Sequence, residues 1–140
     1  IINFMDGLFC KILNKKIPNY TVFEDENVLA FLDIFPCSKG HTVVIPKKHY
    51  SNLWEMNTEK FELMAASLRK VAGHIQARLQ PDGMNIGINN GVAAGQAVEH
   101  VHWHIIPRYK NDGGGSMHSI IKNPGDQAIK EVAELFADKN

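Results

Sequence analysis

From Asn57 to Leu79 the residues Phe61, Met64, Leu68, Val71, Ile75 and Leu79 recur at intervals of three and four, the period of one helix face, and predict a long helix. Asn57 or Thr58 is placed to cap it, Met56 and Phe61 have the spacing of a hydrophobic staple, and Pro81 with Gly83 closes it. Elsewhere the pattern is that of strands. Thr21-Val22-Phe23 and Val28 to Ile34 flank the acidic turn Glu24-Asp25-Glu26-Asn27, a hairpin signal, and the β-branched run within His41 to Pro46 predicts a third strand. Met84 to Ile88 and Val98 to Ile106 supply two more, separated by the Gly-containing loop Asn89 to Ala97. A short helical segment is expected at Phe9 to Leu13. A second helix is expected from Pro124 through Phe136, burying Ile129, Val132, Ala133 and Phe136. Strands that do not alternate strictly with helices predict an α+β fold: a five-stranded antiparallel meander sheet with one long helix and one or two shorter ones.

Composition narrows the class. The 140 residues show no repeat, low-complexity tract or linker and fit a single domain. Lys plus Arg and Asp plus Glu both number 15, so no overall charge favours nucleic acid or an anionic membrane as partner. No apolar stretch approaches the roughly 20 residues that cross a bilayer. Cys10 and Cys37 are too few for a disulfide framework and are expected to be free thiols, which together with the absence of a signal-peptide pattern predicts a cytoplasmic protein.

The chemistry concentrates at His100, His102 and His104, which alternate with Val101, Trp103 and Ile105. On a strand, the two-residue period puts the three imidazoles on one face. Solvated surface histidines are one reading. The other is a reactive face, in which one imidazole attacks through one nitrogen while an acceptor holds the proton on the other. Side chains projecting in parallel from one strand converge poorly on a tetrahedral ion, so the triplet by itself does not make a metal site. The preceding loop carries glycines and amides suited to an oxyanion, and it lacks the Gly-Lys-Ser/Thr ending of a Walker loop.

The segment His100-Val101-His102-Trp103-His104-Ile105-Ile106 resembles the signature of the histidine triad family. Further blocks are similar in family order: Phe9-Cys10-Lys11-Ile12, Ile17-Pro18, Phe31-Leu32-Asp33-Ile34, the run Gly40 to His49, and Gly95-Gln96. They span about Leu8 to Arg108 and look closest to the Hint-like and bacterial-type branch.

The resemblance implies a hydrolase or transferase acting at the α-phosphorus of purine nucleotide derivatives: phosphoramidates, aminoacyl-adenylates or dinucleoside polyphosphates. A covalent nucleotidyl-histidine would form and AMP or GMP would be released. A nucleotide-binding scaffold with incidental turnover is the alternative. By likeness His102 is the nucleophile, His104 and His41 bond phosphate oxygens or the leaving group, and His100 orients its neighbour. Asp33 would accept from the ribose hydroxyls. Leu8, Phe9, Ile12, Phe31 and Ile34 would form the base slot, and Asn89, Gly95 and Gln96 would face the phosphate. Ala97 stands where Hint-like phosphoramidases carry a serine. No cofactor is required. Some relatives hold a structural zinc; Cys10, His49 and His100 match three of its ligands, but Gly7 replaces the first cysteine, so zinc is expected to be absent or weakly held. The resemblance also implies a homodimer.

Overall fold

A computed structural model describes residues 7–137. Its elements in chain order are α1 (Leu8–Leu13), β1 (Thr21–Glu24), β2 (Val28–Leu32), β3 (Thr42–Pro46), α2 (Thr58–Leu79), β4 (Gly83–Ile88), β5 (Trp103–Arg108) and α3 (Ile129–Glu134), with single 3-10 turns at Leu53–Glu55, Val92–Ala94 and Met117–Ser119. The predicted class holds: five antiparallel strands and a few helices. The strand order is β1-β2-β3-β5-β4, so the meander covers the first three strands only. After β3 the chain crosses through α2 to the far edge and returns as β5 between β3 and β4.

Two apolar layers sandwich the sheet. On one face, Met64, Val71 and Ile75 of α2 pack on Val28, Ala30, Val44, Val101, Trp103 and Ile105. On the other, Phe9 and Ile12 of α1 pack on Leu29, Phe31, Val43 and Ile45. The start of α2 is set by Asn57, whose side chain accepts from the Lys60 N–H at 2.9 Å. Its end is set by Gln80, which takes the left-handed conformation at φ 49°, one residue before Pro81. The buried Ser67 hydroxyl donates to Asp25 at 2.9 Å and ties α2 to the β1–β2 turn.

Two expectations need correction. The strand expected over 98–106 begins only at Trp103. Ahead of it, the His100 N–H donates to the Val98 carbonyl at 2.8 Å and the Val101 N–H to Tyr50 at 2.7 Å, so these groups bond outside any strand ladder. The sidedness survives: Val101, Trp103 and Ile105 enter the α2 layer while the histidine rings lie on the α1 side, with Phe9 edge-on to His100 and His102. The expected helix from Pro124 is reduced to Ile129–Glu134, and Ile129, Val132 and Phe136 are exposed. Gly125 sits at φ +81° inside the predicted first turn, a conformation no right-handed helix contains.

Candidate active site

The histidines meet at the end of the sheet where β3, β5 and the 89–102 loop converge. His104 stands on β5 opposite Val43 of β3 and Gly87 of β4. His41 immediately precedes β3, after Gly40 at φ +88°. The left-handed φ favours glycine there, and a Cβ at position 40 would also press on the Leu79 methyl at the end of α2.

The hydrogen bonds fix the tautomers. The His102 Nδ1–H donates to the His100 carbonyl at 2.8 Å, which leaves its Nε2 with a bare lone pair. His41 Nδ1 accepts from the Cys37 N–H at 3.1 Å, so Nε2 carries the proton and donates to His104 Nδ1 at 2.9 Å. His104 therefore holds its own proton on Nε2. Burial favours the neutral form of His104 and of His41. It pushes the His104 pKa down to about 4, with His102 and His41 acting in the same direction, and it lowers that of His41 against the pull of Asp33. The His41 Nε2–H is directed at His104, with an Asp33 carboxylate oxygen 3.6 Å away, so this ring stands behind His104 and is not among the residues that line the cavity beside His102.

His102 and His104 open into a cavity of about 530 Å³ whose lining includes Leu8, Phe9, Ile12, Phe31, Asp33 and Ile34. Asn89, Gly95 and Ala97 line it as well. Asp33 accepts from the Phe35 N–H at 2.8 Å through Oδ1, and lone pairs remain on the carboxylate. Gln96 differs from expectation. Its Nε2 donates to the carbonyls of Ser51 and Val98 at 2.7 and 3.0 Å, and its Oε1 accepts from the Gly91 N–H at 2.8 Å, so it braces the loop and has no amide group left for a phosphate. Tyr20, Phe35, Val43 and Val98 join the lining although sequence reasoning did not single them out. For Phe35 a signal existed, an apolar residue just past Asp33 on the strand-end turn, and it is 83% exposed at the cavity wall.

The comparisons decide the family. The family model described as HIT domain matches residues 14–111. This chain belongs to the HIT family. Protein hit of Bacillus subtilis is 49% identical over 136 residues, covering 94% of this chain and 92% of that protein. An adenosine 5′-monophosphoramidase of Schizosaccharomyces pombe is 39% identical over 135 residues, covering 96% and 98%. A solved structure of a Zn-bound histidine triad family protein from Mycobacterium smegmatis superposes with a TM-score of 0.73 at 39% identity, covering 88% of this chain and 86% of that one.

Zinc can be tested against this HIT protein's own donor atoms. Cys10 Sγ lies 3.6 Å from His49 Nδ1 and 3.7 Å from His100 Nδ1, and the two nitrogens are 3.2 Å apart. Tetrahedral zinc with ordinary bond lengths sets such edges at about 3.6 Å for S···N and about 3.4 Å for N···N. His100 Nε2–H donates to the Pro46 carbonyl at 3.1 Å, which turns a bare Nδ1 toward the cluster. Among the described residues three ligands thus fit. Gly7 opens α1 with no side chain to offer as a fourth.

Proposed function

We propose that this HIT protein hydrolyses nucleoside monophosphate derivatives at the α-phosphorus through a nucleotidyl-histidine on His102, releasing AMP or GMP. The observation that carries the reading is the His102 ring itself: its Nδ1 proton is held by a carbonyl and its free Nε2 edges a cavity large enough for a nucleotide. The monophosphoramidase name of the S. pombe relative supports the same chemical class.

In this reading the base lies between Leu8, Phe9, Ile12, Phe31 and Ile34, and Asp33 accepts from the ribose hydroxyls. His102 Nε2 attacks phosphorus. The bond from phosphorus to the leaving nitrogen or oxygen breaks and its electron pair departs with that atom; a leaving nitrogen takes up one proton from solvent. His104, neutral and donating through Nε2–H, stabilises the charge that develops beside it, and the chain from Cys37 through His41 keeps that proton on Nε2. Water then attacks the phosphoryl group, the phosphorus–nitrogen bond to His102 breaks, the pair returns to Nε2, and the water proton goes back to solvent. Asn89, Gly95 and Ala97 border the phosphate position.

Zinc takes no part in these steps. Bound by Cys10, His49 and His100, it would supply a structural cross-link between α1, the segment after β3 and the approach to β5. The deciding experiment is incubation with an amine-linked adenosine monophosphate: release of AMP is expected, and binding without release would leave the nucleotide-binding scaffold as the correct reading.

A further inference from the structure

At the far end of β3 from His41 lies a small cavity of about 110 Å³, bounded by the close of the β2–β3 ladder and the first turn of α2. It shares no lining residue with the nucleotide cavity. Three lysines line it, Lys47 and Lys48 just past β3 and Lys60 on α2, and Glu26 is the one carboxylate in the lining. Their charge is not cancelled. Lys47 is paired with Glu24 at 2.8 Å, whereas Lys48 and Lys60 make no ion pair among the described residues. The Lys48 ammonium stands 5.5 Å from the centre of the Tyr50 ring, and Lys60 belongs to the first turn of a 22-residue helix, an end that itself favours negative charge.

The same cavity has a polar group without a partner. Tyr50 lines it and is 6% exposed, and its buried hydroxyl has no hydrogen-bond partner among the described residues. A buried donor in that state is destabilising until an acceptor meets it. Two uncompensated ammonium groups and one unpartnered hydroxyl together favour a ligand that is anionic and accepts in several directions. We propose that this cavity binds a small tetrahedral oxyanion of the phosphate or sulfate class, whose oxygens accept from Lys48, Lys60 and the Tyr50 hydroxyl. The volume equals the liquid share of about three to four waters at ~30 Å³ each, which suits the free ion and excludes a nucleoside carried with it.

The position of the site gives it a consequence. While Lys47, Lys48 and Tyr50 line the cavity, the carbonyls of the same segment hold the approach to His102. Pro46 accepts from His100 Nε2–H at 3.1 Å, Tyr50 from the Val101 N–H at 2.7 Å, and Ser51 from Gln96 Nε2 at 2.7 Å. An ion that joins Lys48 and Tyr50 to Lys60 therefore fastens this segment to α2, and through it the loop that carries the nucleophile.

Inorganic sulfate is the probe, titrated into the full chain at an ionic strength held constant with chloride, with and without excess AMP. A saturating rise in Tm of about 3 °C is expected in the low-millimolar range, unaltered by AMP, whereas sulfate acting only as a co-solvent would not saturate. Lys48→Gln and Lys60→Gln should each weaken sulfate about tenfold in calorimetry by removing a charged hydrogen bond. Tyr50→Phe should hold or raise Tm without sulfate, because the unpartnered hydroxyl is gone, and should show a smaller rise with it. Exchange of the Val101 amide should slow with sulfate in the wild type and not in Lys60→Gln. An equal response in the wild type and both lysine variants, or displacement of sulfate by AMP, would overturn the site. Sulfate binding with no change at the Val101 amide would overturn the link to the loop.

Discussion

A single backbone carbonyl, that of His100, decides which nitrogen of His102 keeps a bare lone pair for the proposed attack, and a single backbone N–H, that of Cys37, decides which nitrogen of His104 donates. His102→Ala is expected to abolish turnover while leaving nucleotide binding measurable by calorimetry, because the base slot and Asp33 are untouched; near-wild-type turnover would refute the assignment. The neutral ring of His104 is part of the same arrangement. His104 has a folded pKa of about 4 against an ordinary 6.5, so between these values the unfolded chain binds the proton and the folded one does not. Stability should therefore be greatest above pH 6.5 and fall as pH drops towards 4, a trend that urea titrations across that range would read and that His104→Gln should flatten. Ala97 lines the nucleotide cavity, and Ala97→Ser should raise the rate on amine-linked more than on phosphate-linked nucleotides; equal effects would show that a hydroxyl there does not meet the leaving nitrogen. The histidine triplet was legible in the sequence because its residue types are unusual and its alternation survives. The tautomer chain and the occupied amide of Gln96 were not, since both depend on backbone partners that only the folded loop supplies.

Among the elements, α2 was legible almost to the residue. Its apolar period and its Asn57 cap act within one segment and need no information from elsewhere. Ile75, 2% exposed against the sheet, should cost about 2–5 kcal/mol when replaced by Ala, measurable as a lowered denaturant midpoint with an unchanged slope. The start of β5 was misread because ladder pairing is a tertiary property: Val98 to His102 have strand-like composition, but Tyr50 and the residues' own turn take their hydrogen bonds. The α1 region carries a test of the metal site. Gly7 has φ −65° and ψ 156°, open to any residue, and nothing lies within 4 Å of a Cβ added there. Zinc held by the three ligands found among the described residues is expected to leave during dialysis against a mild chelator. Gly7→Cys, three residues before Cys10 at the entrance to α1, should retain close to one zinc per chain and raise Tm, as read by elemental analysis and calorimetry. One tightly retained zinc per chain in the unmodified protein would show that the site is already closed.

At the scale of the whole molecule, the apolar surface is unevenly distributed. Among the described residues no helix is long and apolar enough to cross a membrane, yet the segment after β5 exposes Ile121 at 70%, Ile129 at 89%, Leu135 at 59% and Phe136 at 69%. The six-residue α3 that carries part of this surface is far below the roughly 12–15 residues at which an isolated helix becomes even marginal in water, so its stability must come from packing. Its own chain does not bury it. The sheet has a matching need, because β1 and β4 are open edges, and Ile86 on β4 is 41% exposed. We propose that a second copy of the chain meets both needs, with two sheets joined edge to edge along β4 and the segment after β5 packed against the partner. Such an isologous contact closes on itself and stops at two chains. Light scattering at micromolar concentration should then report twice the 15.7 kDa chain mass. The double variant Ile129→Glu with Phe136→Glu should shift the population towards single chains while leaving the far-ultraviolet circular dichroism of the sheet and α2 in place. A wild-type mass of one chain at that concentration would reject the dimer, and a dimer that survives the double variant would place the contact on β4 alone.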